Sequence, residues 1–149
     1  MINKDEIFEL TQNGAQQLND ELEKLKTVDR VKIREAIKDA REQGDLSENA
    51  DYASARERQA EIEARILEIE NILKHAKIME ITKVTVTYLE LARTVSYEVV
   101  GTIEADPFAG KISNDSPLGK AVSLYKPGDE FYITTESGKE IKLRLESIN

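Results

Sequence analysis

Two carboxylates, Asp45 and Glu48, stand within one short run, Gly44-Asp45-Leu46-Ser47-Glu48-Asn49-Ala50-Asp51-Tyr52. Paired carboxylate oxygens suit a hard divalent cation such as magnesium, yet two acids leave most of an octahedral shell to other donors. Such a pair works only where another molecule completes the site. The same residues also fit a helix start, with Asp45 as N-cap and Glu48 as its N3 partner in a capping box, worth about 1 kcal/mol. Leu46, held between the two acids, suits either a tip that docks into a pocket or a small local staple.

The elements on either side read as two long helices. Helical periodicity runs from about Thr11 to Gln43: Leu18, Leu22 and Leu25 follow a four-then-three spacing, continued less regularly by Val28, Ile33, Ile37 and Ala40. Thr11 or Asn13 can cap its start, and Gly44 falls where a left-handed C-terminal cap is wanted. On the far side Ala55, Gln59, Ile62, Ile66, Ile69, Leu73 and Ala76 keep heptad spacing, and no proline interrupts either arm. A connection of a few residues forces the arms antiparallel, so residues 1–78 are expected to form an antiparallel coiled-coil hairpin. Each arm of roughly 30 residues reaches about 45 Å at the helical rise.

From Lys77 to Ile81 the period changes to two, and residues 79–149 are expected to form a second domain. Lys83–Leu89 and Ser96–Gly101 alternate as strands, and Phe131–Thr135 with Lys139–Leu145 frame a hairpin turned at Glu136-Ser137-Gly138. Ser116 as a cap and Pro117 at the first helical position predict a short helix through Leu124. The fold class is therefore α+β, a helical hairpin followed by an antiparallel sheet with one short helix.

Composition narrows the chemistry. The chain of 149 residues has no cysteine and a single histidine, His75, which removes disulfides, thiolate metal sites, histidine clusters and Ser-His-Asp triads. Its net charge of -8 argues against free duplex nucleic acid as the main partner. Arg30, Lys32, Arg34, Lys38, Arg41, Arg56 and Arg58 nevertheless flank the acidic run, a local basic surface that can meet phosphate once a partner has placed it. Arg34, Lys38 and Arg41 equally describe a solvated helix face with weak ion pairs, Tyr52 can pack on the hairpin or touch a partner, and His75 reads as a surface residue. There is no apolar run of membrane-spanning length, and Met1–Glu6 lacks the pattern of a secretory signal. A cytoplasmic protein is expected.

The run Ala40–Tyr52, followed by the Ile62, Ile66, Ile69 pattern, resembles the tip signature of the bacterial Gre transcript cleavage factors of RNA polymerase. Ile112-Ser113-Asn114-Asp115-Ser116-Pro117-Leu118-Gly119-Lys120-Ala121 resembles the second signature of that family, so the likeness covers most of the chain. The tip sequence and acidic character are similar to the A-type branch rather than the more basic B-type. The resemblance implies a C-terminal domain like that of FK506-binding proteins, docked at the rim of the polymerase secondary channel through Ser116, Pro117, Leu118, Gly119 and Lys120, with the hairpin reaching the active site. It assigns Asp45 as the metal-directed acid and Glu48 as its water- or metal-orienting partner, with Gly44, Leu46, Ser47, Asn49 and Tyr52 shaping the tip. Arg41 and Arg56 would approach the extruded 3′ end of the nascent RNA. By the same resemblance the magnesium would belong to the polymerase active site, and the factor is expected to be a monomer with no cofactor of its own and no membrane contact, stimulating cleavage without being an enzyme itself.

The resemblance implies a longer segment after the coiled coil, with an initial strand, whereas here Ile81-Thr82-Lys83 passes almost directly into the first long strand; that initial strand is expected to be lost or contracted, or to lie on a segment missing from this sequence. Three other functions compete. A channel-binding inhibitor needs bulk and charge without paired acids, a coiled-coil adaptor leaves the Ser116–Lys120 signature unexplained, and a prolyl isomerase would need more aromatic residues than this C-terminal part holds.

Overall fold

A computed structural model of the chain describes residues 6–44 and 49–149; Asp45, Leu46, Ser47 and Glu48 lie outside the described residues. Packing divides the chain into two units, Ala15–Ala76 in one and the residues up to Gly14 with Lys77–Asn149 in the other. The N-terminal segment, expected within a 1–78 hairpin, thus packs with the C-terminal residues. Among the described residues no helix is long and apolar enough to cross a membrane.

The first arm is helix α1 (Gln12–Lys24), a π-helical turn over Leu25–Asp29, and helix α2 (Arg30–Glu42); the second is one unbroken helix, α3 (Ala50–Lys74). The π turn has a cause in the sequence. Leu18, Leu22 and Leu25 set a rhythm whose next apolar position in the second half would precede each of Ile33, Ile37 and Ala40 by one residue. A turn bonded i to i+5 absorbs one extra residue, so Leu25, Ile37 and Ala40 are all buried while Val28, expected in the seam, is 37% exposed. On α3 Ala55, Ile62, Ile66 and Ile69 are buried as the spacing predicts, but Ile72 rather than Leu73 completes the stripe. This arm packs on α2 over one stretch and on the π turn over another.

Ion pairs lace the two arms together. Arg65 binds Glu21 through two bonds of 2.7 and 2.9 Å, and Arg30 binds Glu63 in the same bidentate way at 2.8 and 2.9 Å. Lys26 reaches Glu70 at 2.6 Å. Hydrogen bonds from the guanidinium groups hold the carboxyls of Glu21 and Glu63 below the usual carboxylate range, since they favour the charged acid. Each pair is open to water, so register between the arms gains more from them than stability does.

The other unit is built on a five-stranded sheet in the order β5-β4-β3-β7-β6, with β3 at Thr82–Tyr88, β4 at Arg93–Val100, β5 at Lys111–Ser113, β6 at Glu130–Thr134 and β7 at Glu140–Ile148. Three of its pairings are antiparallel, whereas the short edge strand β5 joins β4 in parallel. Helix α4 (Pro117–Val122) buries Leu118 and Val122 in a core with Val84, Val86, Phe131, Leu143 and Leu145. The β6–β7 turn closes at Gly138, whose φ of +85° suits glycine. A separate two-stranded sheet pairs β1 (Phe8–Leu10) with β2 (Ala76–Ile78). Between α3 and β3 the chain thus forms only this three-residue strand, which pairs with β1 and stands outside the main sheet.

Candidate functional site

The two helices of the hairpin end on the acidic run. Helix α2 stops at Glu42, Gln43 takes the C-cap position, and Gly44 follows with φ +130°, a conformation that a side chain would strain. Beyond the run Asn49 adopts extended backbone angles and caps α3, its side-chain oxygen accepting the Tyr52 N–H at 3.1 Å. The cap of this helix is Asn49, and the capping box weighed for Asp45 and Glu48 lies outside the described residues. Its carboxamide has a second task. Nδ2 donates to the Ala40 carbonyl at 2.8 Å, an oxygen in the last turn of α2 that also receives the Gln43 N–H at 3.3 Å. A single side chain thus satisfies an orphan donor at the start of one helix and adds a second donor to a carbonyl at the end of the other.

Just below that clasp the basic residues converge. The Arg41 guanidinium lies over the Tyr52 ring, 5.9 Å from its centroid, and Arg56 donates to Gln59 at 2.9 Å. Arg41 and Arg56 come from opposite arms and line one open groove of about 440 Å³, which Arg34 and Lys38 enter as well, with Glu42 the one acid among the described lining residues. Tyr52 is half-buried under Arg41 and packs on the hairpin. Among the described residues no group of three or more potential ligands could hold a metal ion. Asp45 and Glu48, with Leu46 and Ser47, lie outside the described residues.

The second signature folds as its residue types direct. Ser116 caps α4, accepting the Gly119 N–H at 3.0 Å, and Pro117 occupies the first turn. Leu118 and Gly119, expected on a docking surface, face inward: Leu118 belongs to the core, and a Cβ on Gly119 would overlap the Ser113 carbonyl. Pro117 and Lys120 are the exposed members. Residues far away in sequence shape the preceding loop. Glu9 accepts from Asn114, Glu104 accepts the Thr11 N–H at 2.6 Å, and Thr11 Oγ1 caps α1 by accepting the Gly14 N–H at 3.0 Å. The sequence held no sign of the Glu9 and Glu104 contacts, because local patterns do not report partners about a hundred residues apart. An open groove of about 340 Å³ lies beside this loop, lined by Ile7, Glu9, Ile103, Asn114 and Asp115 among others. Burial, followed by its hydrogen bond to Tyr97 at 2.7 Å, raises the Tyr88 phenol above its usual range.

The described residues thus form a two-helix hairpin with a basic groove near the ends of α2 and α3 that flank the acidic run, and, in the same chain, a small α+β unit. Comparison with known proteins places the chain. The model of the N-terminal domain of GreA/GreB transcription elongation factors matches residues 8–78, and that of the C-terminal domain matches residues 73–149. Transcription elongation factor GreA of Acholeplasma laidlawii is 50% identical over 153 residues, covering 96% of this chain and 97% of the relative. GreA of Listeria monocytogenes serotype 4a is 42% identical, covering 97% and 96%. The solved structure of GreA factor homolog 1 of Thermus thermophilus aligns with 97% of this chain and 99% of its own at 26% identity, with a TM-score of 0.45. The chain belongs to the GreA/GreB family of transcription elongation factors.

Proposed function

We propose that this protein binds RNA polymerase at its secondary channel and stimulates magnesium-dependent cleavage of the 3′ end of backtracked nascent RNA, so that arrested complexes resume elongation. The carrying observation is the convergence of Arg41 and Arg56, from opposite arms, on one basic groove beside the residues that lead into Asp45 and Glu48. In this reading the unit with the Ser116–Lys120 signature anchors on the polymerase and the hairpin enters the channel. Arg41 and Arg56 grip the extruded RNA backbone through charge-assisted phosphate contacts, while Asp45 and Glu48 provide carboxylate oxygens to the polymerase active site. Magnesium held there activates water and stabilises the leaving oxygen. Because the two acids cannot complete a metal shell, the protein alone is not a nuclease; in this reading it carries no cofactor of its own and acts as a monomer in the bacterial cytoplasm.

The reading is tested by adding the purified protein to stalled, backtracked elongation complexes with magnesium and following 5′-labelled RNA. Shortening of the RNA only when polymerase and protein are both present is the expected result. Comparable RNA cleavage by the protein alone, or a complex that binds the protein and loses the intrinsic cleavage of the polymerase, contradicts it; the second outcome is that of a channel inhibitor.

A further inference from the structure

We propose that Asn49 is a positioning residue for stimulated cleavage, acting through the hydrogen bond from its Nδ2 to the Ala40 carbonyl, and that this role is separate from its helix cap. The proposal rests on the cleavage function set out above. A helix cap needs only an acceptor, and serine, aspartate or asparagine fill that position about equally well. Here the oxygen of the carboxamide caps α3 through the Tyr52 N–H at 3.1 Å, while its nitrogen crosses to the other arm and holds Ala40 at 2.8 Å. Ala40 is buried, and its carbonyl also closes the C-cap through Gln43 at 3.3 Å. The cross-arm bond therefore joins a fixed point in the last turn of α2 to the residue immediately after Glu48. Next to it Arg41 lies over Tyr52, so the residue that follows Ala40 meets the residue whose N–H Asn49 caps. The carboxylates must be delivered within a fraction of an ångström of a productive geometry, which requires rigid support behind them. The carboxamide of Asn49 supplies both bonds from two different atoms: serine keeps the cap but has a single, shorter polar atom that cannot also span to Ala40, and ionised aspartate keeps the cap and has no donor.

The test compares the full-length parent with Asn49→Ser, Asn49→Asp and Asn49→Ala on backtracked elongation complexes, recording cleavage rate against both factor and magnesium concentration, together with the thermal melt. Asn49→Ser and Asn49→Asp are expected to melt close to the parent, to half-saturate polymerase within about two-fold of the parental concentration, and to lose at least ten-fold in cleavage rate at saturating factor with a higher magnesium requirement. Asn49→Ala is expected to show the same rate loss and a lower melting temperature. Parental cleavage by Asn49→Ser overturns the proposal. So does slowing by Asn49→Asp alone, which would reflect the added charge, and so does a loss confined to factor affinity. A parent that fails to cleave overturns the cleavage function and this inference with it, whereas a cleaving parent with an equally active Asn49→Ser overturns the inference alone.

Discussion

Removing both groove arginines, Arg41→Ala with Arg56→Ala, is expected to weaken the grip on extruded RNA by an amount that salt reveals. Each phosphate contact to a single strand contributes about 0.7 to the slope of log affinity against log salt. Two lost contacts therefore flatten that slope by about 1.4, and raising salt from about 50 to 200 mM shrinks the gap between parent and variant by about seven-fold. The variant also gives up the Arg41–Tyr52 stacking and the Arg56–Gln59 bond, both at the surface, so helix content is expected to persist. Arg34 and Lys38 remain in the groove and retain part of the attraction. The assay is a salt series of affinity for backtracked complexes, run beside complexes without extruded RNA, with crosslinking to the RNA 3′ end as an independent readout. An equal loss of binding with and without extruded RNA, at unchanged slope, would show that these arginines contact protein and would refute the reasoning.

The register of α3 predicts that Ile72→Ala costs about 3 kcal/mol and Leu73→Ala about 1 kcal/mol, measured by urea unfolding of the helical signal; equal costs would restore the heptad expectation. Glu63 has its acid strengthened by Arg30 in the folded protein, so its contribution is complete above the ordinary glutamate range and fades as pH falls through the lower folded value. Thermal melts between about pH 3 and 6 should show that dependence, and Glu63→Gln should flatten it. Gly101→Ala would drive a Cβ into the Glu9 carbonyl and is expected to cost about 2 kcal/mol, with faster amide exchange at Leu10 and Thr11 as its signature.

The long helices, the change of period near Lys77 and the α4 cap were legible because each is a local pattern: apolar spacing, alternation, a serine before a proline. The π turn was half legible, since the irregular step after Leu25 was visible in the spacing although the way the backbone absorbs it was not. Val28 was misplaced because a heptad template assumes a single continuous phase along the arm, and on the second arm Ile72 rather than Leu73 is the buried position. Contacts between distant residues, such as Thr11 with Glu104 and Glu9 with Asn114, leave no periodic trace, and β1 with them escaped notice. At the site, the basic residues could be placed on two helix faces, but their meeting in one groove needed the register between the arms. The two bonds of Asn49 needed atoms.

In the proposed function Asp45 and Glu48 act in chemistry while the rest of the molecule binds and positions. It is tested most directly by the Asp45→Ala, Glu48→Ala double variant on backtracked elongation complexes, with labelled RNA reporting cleavage and competition against the parent reporting occupancy of the polymerase. The account predicts a variant that competes within a few-fold of the parent and leaves the RNA uncut above the intrinsic rate. A variant that occupies the polymerase and still stimulates cleavage at the parental rate would contradict it.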